Sequence, residues 1–152
     1  MKSTKKPAAL DLKLSEFLCF AVYSSNLAFG KAYKPMLERL GLTYTQYITL
    51  VALWEQDNQT VGSLGEKLFL ESNTLTPILK KLEGMGYLLR QRDPEDERQV
   101  RISLTTEGRK LREEISEDGF PQTGLDPDDF EQMQKAIVKL RTNLIRSTKD
   151  RE

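Results

Sequence analysis

Histidine is absent from these 152 residues, cysteine occurs once, at Cys19, and neither sign of charge prevails, with 23 basic residues against 23 acidic ones. Without histidine there is no Ser-His-Asp or Cys-His catalytic centre, and with a single thiol the usual zinc-cluster spacings are missing too. No metal and no cofactor is expected. One thiol cannot close an intramolecular disulfide, which leaves a free thiol or a bond to another molecule. Neutrality excludes global attraction to a polyanion, so any nucleic-acid surface has to be local. No apolar run approaches the roughly 20 residues that span a bilayer, and Met1 to Lys6 lead into no secretory segment. A cytoplasmic location and no membrane partner are expected. Hydrophobic residues at 38% and charged residues at 30% fit a globular chain rather than a disordered one, and the length suits one domain, residues 1–152, that works with a partner.

What is present is mostly helical periodicity. The polar, basic stretch from Met1 to Ala9 reads as an arm before the first element. From Leu12 to Lys31, the residues Leu14, Phe17, Leu18, Ala21, Val22, Ala28 and Phe29 recur at helical spacings, with Asp11 or Ser15 as cap. The breadth of that face implies burial on more than one side. Pro35 lacks a donor, so a break is expected there, followed by a short helical turn to Gly41. Thr43-x-x-Gln46 has capping-box form and opens a helix through Tyr47, Leu50, Val51 and Trp54, ended by Asp57-Asn58-Gln59. A short helix from Thr60 or Gly62-Ser63 carries Leu64, Leu68 and Phe69. A second, from about Ser72 to Gly84, sets Leu75, Ile78, Leu79 and Leu82 on one side.

Tyr87 to Arg92 and Val100 to Leu104 read as strands around a charged turn, Asp93 to Arg98. Helix, turn, helix and hairpin in that order outline a winged helix-turn-helix, within a mainly α (α+β) fold. Thr105 to Gly108 opens a further helical region through Leu111 and Ile115, interrupted around Gly119, Pro121 and Gly124. Asp126-Pro127-Asp128-Asp129 then starts a last helix bearing Phe130, Met133, Ile137, Leu140, Leu144 and Ile145. The first and last helices offer more apolar surface than a small winged domain needs. Residues 12–42 and 106–147 are therefore expected to be dimerisation helices, flanking a DNA-binding lobe at 43–104.

In that outline the second helix of the pair is the reading helix. Its Ser72, Asn73, Thr74 and Thr76 carry directional donors and acceptors for base edges, Lys80 and Lys81 are mobile charges for phosphates, and Pro77 costs little if it sits at an initial position. The hairpin adds Arg90, Arg92, Arg98 and Arg101, a local positive cluster on a neutral chain. Asp96 is read as a brace that aims Arg98 toward a narrow minor groove. Arg90 and Arg92 alternate with Gln91 and so can share one strand face and contact phosphate, with a plain solvated edge as the alternative; amphipathic helices and a charged hairpin also occur in proteins that bind no DNA. A pure protein-interaction module stays open on the residues alone.

The chain resembles the MarR family of dimeric winged-helix transcription regulators. The likeness runs from Leu12 to Ser147 and is most specific in Asp93-Pro94-Glu95-Asp96-Glu97-Arg98-Gln99-Val100, continued by Ile102-Ser103-Leu104-Thr105-Thr106-Glu107-Gly108. Within the family it is similar to the organic-hydroperoxide-sensing repressors called OhrR, through Leu18-Cys19-Phe20-Ala21-Val22-Tyr23, Tyr33-Lys34-Pro35, Leu42-Thr43-Tyr44-Thr45-Gln46-Tyr47 and the run from Leu70 to Lys81. The resemblance implies a peroxidatic Cys19 with Tyr33 and Tyr44 as its hydrogen-bonding tyrosines; Tyr23, four residues after Cys19, can face the same side of the first helix, and Phe20, Tyr47 and Trp54 are further candidate pocket residues. It implies no enzyme. The expected partners are palindromic double-stranded operator DNA, an organic hydroperoxide and a second copy of the chain.

The chemistry at Cys19 follows from the thiolate. A nucleophilic sulfur attacks the peroxide and becomes a sulfenic acid. With no second cysteine, the reversible product is expected to involve a low-molecular-weight thiol or another external partner, or a cyclic sulfenamide, with over-oxidation as the further outcome. A coupling of about 3 to 4 kcal/mol between that site and the reading helices weakens operator binding a hundredfold or more. Two readings compete with it. One is a regulator that responds to a small ligand and holds Cys19 as a structural residue; the other is a thiol peroxidase, against which the wing signature argues.

Overall fold

Pro35 does not break the first helix. In the computed structural model, which describes residues 11–151, α1 runs unbroken over Leu18–Leu40, after a 3-10 turn at Leu14–Glu16. Pro35 lies on the exposed side, where only one backbone bond is lost, while Met36, Leu37 and Leu40 are buried and anchor the last turns. Gly41 ends the helix in the left-handed conformation and leads to α2, Tyr44–Glu55. There the expected capping box is formed: Thr43 Oγ1 accepts from Gln46 N at 3.3 Å and Gln46 Oε1 accepts from Thr43 N at 3.0 Å.

The helix-turn-helix follows as α3, Val61–Leu68, and α4, Ser72–Gly84. Phe69, expected on the first of these, instead forms the turn at φ 57° and is exposed. The turn is tight because Gly65 lies under it; a Cβ there would stand 2.8 Å from the Leu70 carbonyl oxygen. Strands β2, Leu88–Arg92, and β3, Val100–Leu104, pair antiparallel with Leu88 opposite Leu104 and Arg92 opposite Val100. A third strand was not legible in the sequence. The two residues of β1, Gln59–Thr60, add to the other edge of β3 opposite Ile102 and Arg101, giving the order β1-β3-β2. Two residues are too few to show alternation, and their pairing depends on the distant β3. Buried Gln59 pins this edge, donating to the Ala52 carbonyl at 3.1 Å and accepting from Ser63 Oγ at 3.0 Å.

The core lies among α2, α3, α4 and the sheet. Leu50, Leu53, Leu64, Leu75, Leu79, Leu82, Leu88 and Ile102 are fully enclosed, each contributing about 1.5 to 3 kcal/mol by leaving water. Helix α5, Thr106–Leu111, capped by Thr105, closes this core with Leu111. The chain divides after Phe120 into two units. The second holds α6, Pro127–Lys149, with Asp126 capping Asp129 N at 2.8 Å and Pro127 at its first position, as its sequence required. Among the described residues no helix is long and apolar enough to cross a membrane.

The broad apolar face of α1 is where the sequence reading and the single chain part. Leu14, Leu18, Val22 and Phe29 were expected to be covered and are exposed, as are the candidate pocket residues Phe20 and Tyr23. On α6, Phe130, Met133, Ile137 and Leu144 are likewise exposed, each by about half. The residues of the amino-terminal arm, 1–9, lie outside the described residues.

Candidate thiol site and nucleic-acid interface

Cys19 sits in the first turn of α1, exposed and free. With Leu14, Phe17, Phe20 and Tyr23 it lines an open hollow of about 360 Å³ whose walls are almost wholly apolar. The expected i, i+4 neighbours Cys19 and Tyr23 do share it. Leu14, on the 3-10 turn, was not among the expected pocket residues, because its place depends on the chain bending back before α1.

Tyr33, Tyr44, Tyr47 and Trp54 form a separate aromatic series. Tyr33 packs on Tyr44 with ring centres 5.4 Å apart and on Tyr47 at 6.0 Å, and Tyr47 meets Trp54 edge-on at 6.4 Å. Burial, then the neighbouring tyrosines, raise the phenol pKa of Tyr33; burial, then Tyr44, raises that of Tyr47. Both therefore stay protonated donors at neutral pH. Cys19 and Tyr33 lie on the same unbroken helix fourteen residues apart, which at the α-helical rise per residue is about 21 Å. One chain does not bring the thiol to its expected tyrosine partners.

On α4, Ser72, Asn73, Thr74, Pro77, Lys80 and Lys81 are exposed along one side, and Thr76 is half-buried with its hydroxyl donating to the Ser72 carbonyl at 2.8 Å. Pro77 is the sixth residue of the helix rather than an initial one, so it removes a bond to the Asn73 carbonyl. Ser72 and Thr76 border a groove of about 350 Å³ with Thr60, Val61 and Gly62 of the α3 start and Arg98, Gln99 and Val100 of the wing. Two helix amino termini and a guanidinium thus border one concavity, an electrostatic setting that favours anions.

The four hairpin arginines divide. Arg90 is half-buried and gives its backbone N–H to Glu83 Oε2 at 2.8 Å and its guanidinium to Oε1 at 3.1 Å. These bonds, the backbone one first, hold the Glu83 carboxyl below the usual carboxylate range. Arg101 donates to buried Asp93 at 2.8 Å and to the Asn58 carbonyl at 3.3 Å. Asp93 is also held low, chiefly by the Glu95 N–H and then by Arg101. Arg90 and Arg101 therefore anchor the wing from inside. Sequence reasoning missed their partners because Glu83 reaches Arg90 only over the turn from α4 to β2, and Asp93 reaches Arg101 only across the folded hairpin.

Arg92 and Arg98 point to solvent. Arg98 is 91% exposed, yet Asp96 Oδ1 accepts from both its backbone N–H and its Nε at 3.1 Å, so the expected Asp96–Arg98 pair is formed. A further hub, unforeseen, is Asp57. It accepts from Leu104 N, Asn58 N and the Arg109 guanidinium, all within 2.8 Å, tying the end of α2 to β3 and α5. Burial raises its pKa, but the bonds from Arg109, Leu104 and Asn58 together outweigh this and lower it.

This architecture recurs in known proteins. A family described as transcriptional regulator SarA/Rot matches residues 31–115. The organic hydroperoxide resistance transcriptional regulator of Bacillus subtilis is 42% identical over 136 residues, 88% of this chain and 92% of that protein. Among solved structures, reduced AbfR bound to DNA has 38% identity and a TM-score of 0.75, covering 87% of this chain and 94% of its own. Overoxidized AbfR bound to DNA has 36% identity and a TM-score of 0.72, covering 86% and 94%; AbfR comes from Staphylococcus epidermidis. With the signature residues of the wing in place and these likenesses spanning most of its length, the chain belongs to the MarR/SarA superfamily of winged-helix transcriptional regulators.

Proposed function

We propose that the chain is a dimeric repressor that binds operator DNA in its reduced form and releases it once an organic hydroperoxide has oxidised Cys19. The observation that carries this reading is the separation of about 21 Å along α1 between an exposed thiol in an apolar hollow and a pair of donor tyrosines. Two copies with their α1 helices antiparallel bring Cys19 of each to Tyr33 and Tyr44 of the other, and cover the apolar face that one chain leaves bare. The site is complete only in the dimer. Residues 12–42 and 106–147 supply that dimer region, with α1 and α6 as its surface and the 43–104 lobe facing DNA.

In the assembled site the tyrosine hydroxyls hydrogen-bond the thiolate and orient the peroxide. Cys19 sulfur attacks one peroxide oxygen, the O–O bond breaks, the alcohol leaves with a proton, and sulfenic acid remains. A small thiol then condenses with it, forming a mixed disulfide and water. Overoxidized AbfR is bound to DNA, which favours the bulky mixed disulfide over added oxygen as the releasing form. On DNA, the exposed side of α4 enters the major groove with Ser72, Asn73, Thr74 and Thr76 toward base edges and Lys80 and Lys81 toward phosphates. Arg98, braced by Asp96, reaches the adjacent minor groove, and Arg92 meets phosphate.

The test is operator binding by the Cys19→Ser protein. It should bind as the wild type does, and hydroperoxide plus a small thiol should no longer release it, with intact mass reporting the modification. Release of Cys19→Ser by hydroperoxide would overturn the sensor role, and release by an aromatic acid alone would favour a ligand-responsive regulator.

A further inference from the structure

The aromatic series does not stop at the tyrosines. Tyr44, Tyr47 and Trp54 lie on one side of α2, and the Trp54 indole N–H donates to the Gly108 carbonyl of α5 at 2.8 Å. Gly108 is pressed against the root of the wing: a Cβ there would stand 2.0 Å from the Tyr87 carbonyl oxygen. That oxygen accepts from Thr105 N at 3.1 Å, and Tyr87 N donates to the carbonyl of Leu82 in the last turns of α4 at 3.1 Å. Thr105 Oγ1 bonds the Gly86 carbonyl and caps α5 at Gly108 N. From Tyr33 to the reading helix and the start of β2, every link is a rigid ring or backbone, with no flexible aliphatic chain between.

We propose that Trp54 is the positioning residue that passes a change at the Tyr33–Tyr44 pair to the wing and reading helix through its hydrogen bond to Gly108. The proposal rests on the redox reading above. Tyr47 is buried and in contact with both Tyr33 and the indole, so a shift of the half-buried Tyr33 ring, on which the more exposed Tyr44 packs, presses on Tyr47 and through it on Trp54. Trp54 bears on α5 where α5 has no clearance from Tyr87, and small motion there moves the hairpin root as a body. An indole that merely satisfied its N–H would leave the redox response unchanged when that bond was removed.

Two replacements test this. Trp54→Phe removes the N–H and shortens the ring. Because Trp54 is the sole tryptophan, global replacement by 3-benzothienylalanine removes the N–H while keeping the bicyclic shape, and serves if Trp54→Phe folds poorly. Operator affinity is measured for each protein reduced, and after stoichiometric organic hydroperoxide with a small thiol, with Cys19 modification followed by intact mass. All should bind within about threefold of one another when reduced and be modified equally; the wild type should then lose about a hundredfold and the replacements less than about tenfold. Trp54 emission in the wild type should shift on modification and stay fixed in Cys19→Ser. Replacements that release as fully as the wild type, or an unmoved emission, would overturn the relay. A wild type that holds its operator with Cys19 fully modified would instead overturn the redox reading itself, and the relay with it.

Discussion

Four arginines of equal formal charge stand on one hairpin, and their partners give them different work. Arg101→Ala strips the buried Asp93 carboxylate of its guanidinium and should lower Tm by several degrees, whereas Arg98→Ala removes an exposed side chain and should leave Tm unmoved. On DNA the order reverses: Arg98→Ala should weaken operator binding and reduce its salt slope by about 1. Thermal melts beside a salt titration decide it. Acid should act through Asp57, Glu83 and Asp93, all of which titrate lower in the fold than the ordinary carboxylate. As pH falls, the unfolded chain takes up their protons first. Their contribution is therefore complete above about pH 5, clear of the unfolded carboxylate range, and is lost as pH drops through that range and the lowered folded values. Tm should hold level down to about pH 5 and then fall. Asp57→Asn should start from a lower Tm at neutral pH and lose less on acidification, and an equally steep fall would remove Asp57 from the account.

At the scale of elements, the helix-turn-helix depends on how closely its turn can approach α3. Gly65→Ala puts a methyl group against the Leu70 carbonyl, where backbone rather than a flexible side chain has to give way. The expected loss is about 1 to 3 kcal/mol in urea unfolding, with operator binding weakened further than the stability loss alone requires, because the tilt of α4 changes. Most of these elements were legible beforehand. The Thr43–Gln46 box, the Asp126-Pro127 start and the bounds of α4 are local signals, read from residues three or four apart and formed as expected. Pro35 and β1 were not legible, since in each a distant contact overrides the local preference: buried Met36 and Leu37 hold α1 through the proline, and β3 recruits Gln59 and Thr60.

For the whole molecule, the uncovered stripes on α1 and α6 carry the expectation of a dimer. Ile137 and Leu144 lie two turns apart on α6, both exposed, so Ile137→Glu with Leu144→Glu should preserve the helical circular dichroism. Sedimentation velocity should show a monomer. Operator binding should collapse, because one winged unit meets only one half-site. A double variant that remains dimeric would place the interface elsewhere.

The residue order alone determined the winged outline, the wing signature and the lone thiol, because caps, periodicities and short motifs act over a few neighbouring residues. It also fixed what chemistry was out of reach, since a chain without histidine and with one cysteine offers few catalytic or metal-binding combinations. Tertiary structure alone decided which arginines face solvent and which are locked to Glu83 and Asp93. It alone set Cys19 far from Tyr33 and Tyr44 within one chain and joined Trp54 to Gly108 across 54 residues. The physical reason is that burial, ion pairing and distance are properties of groups remote in sequence, and only packing brings such groups together or holds them apart.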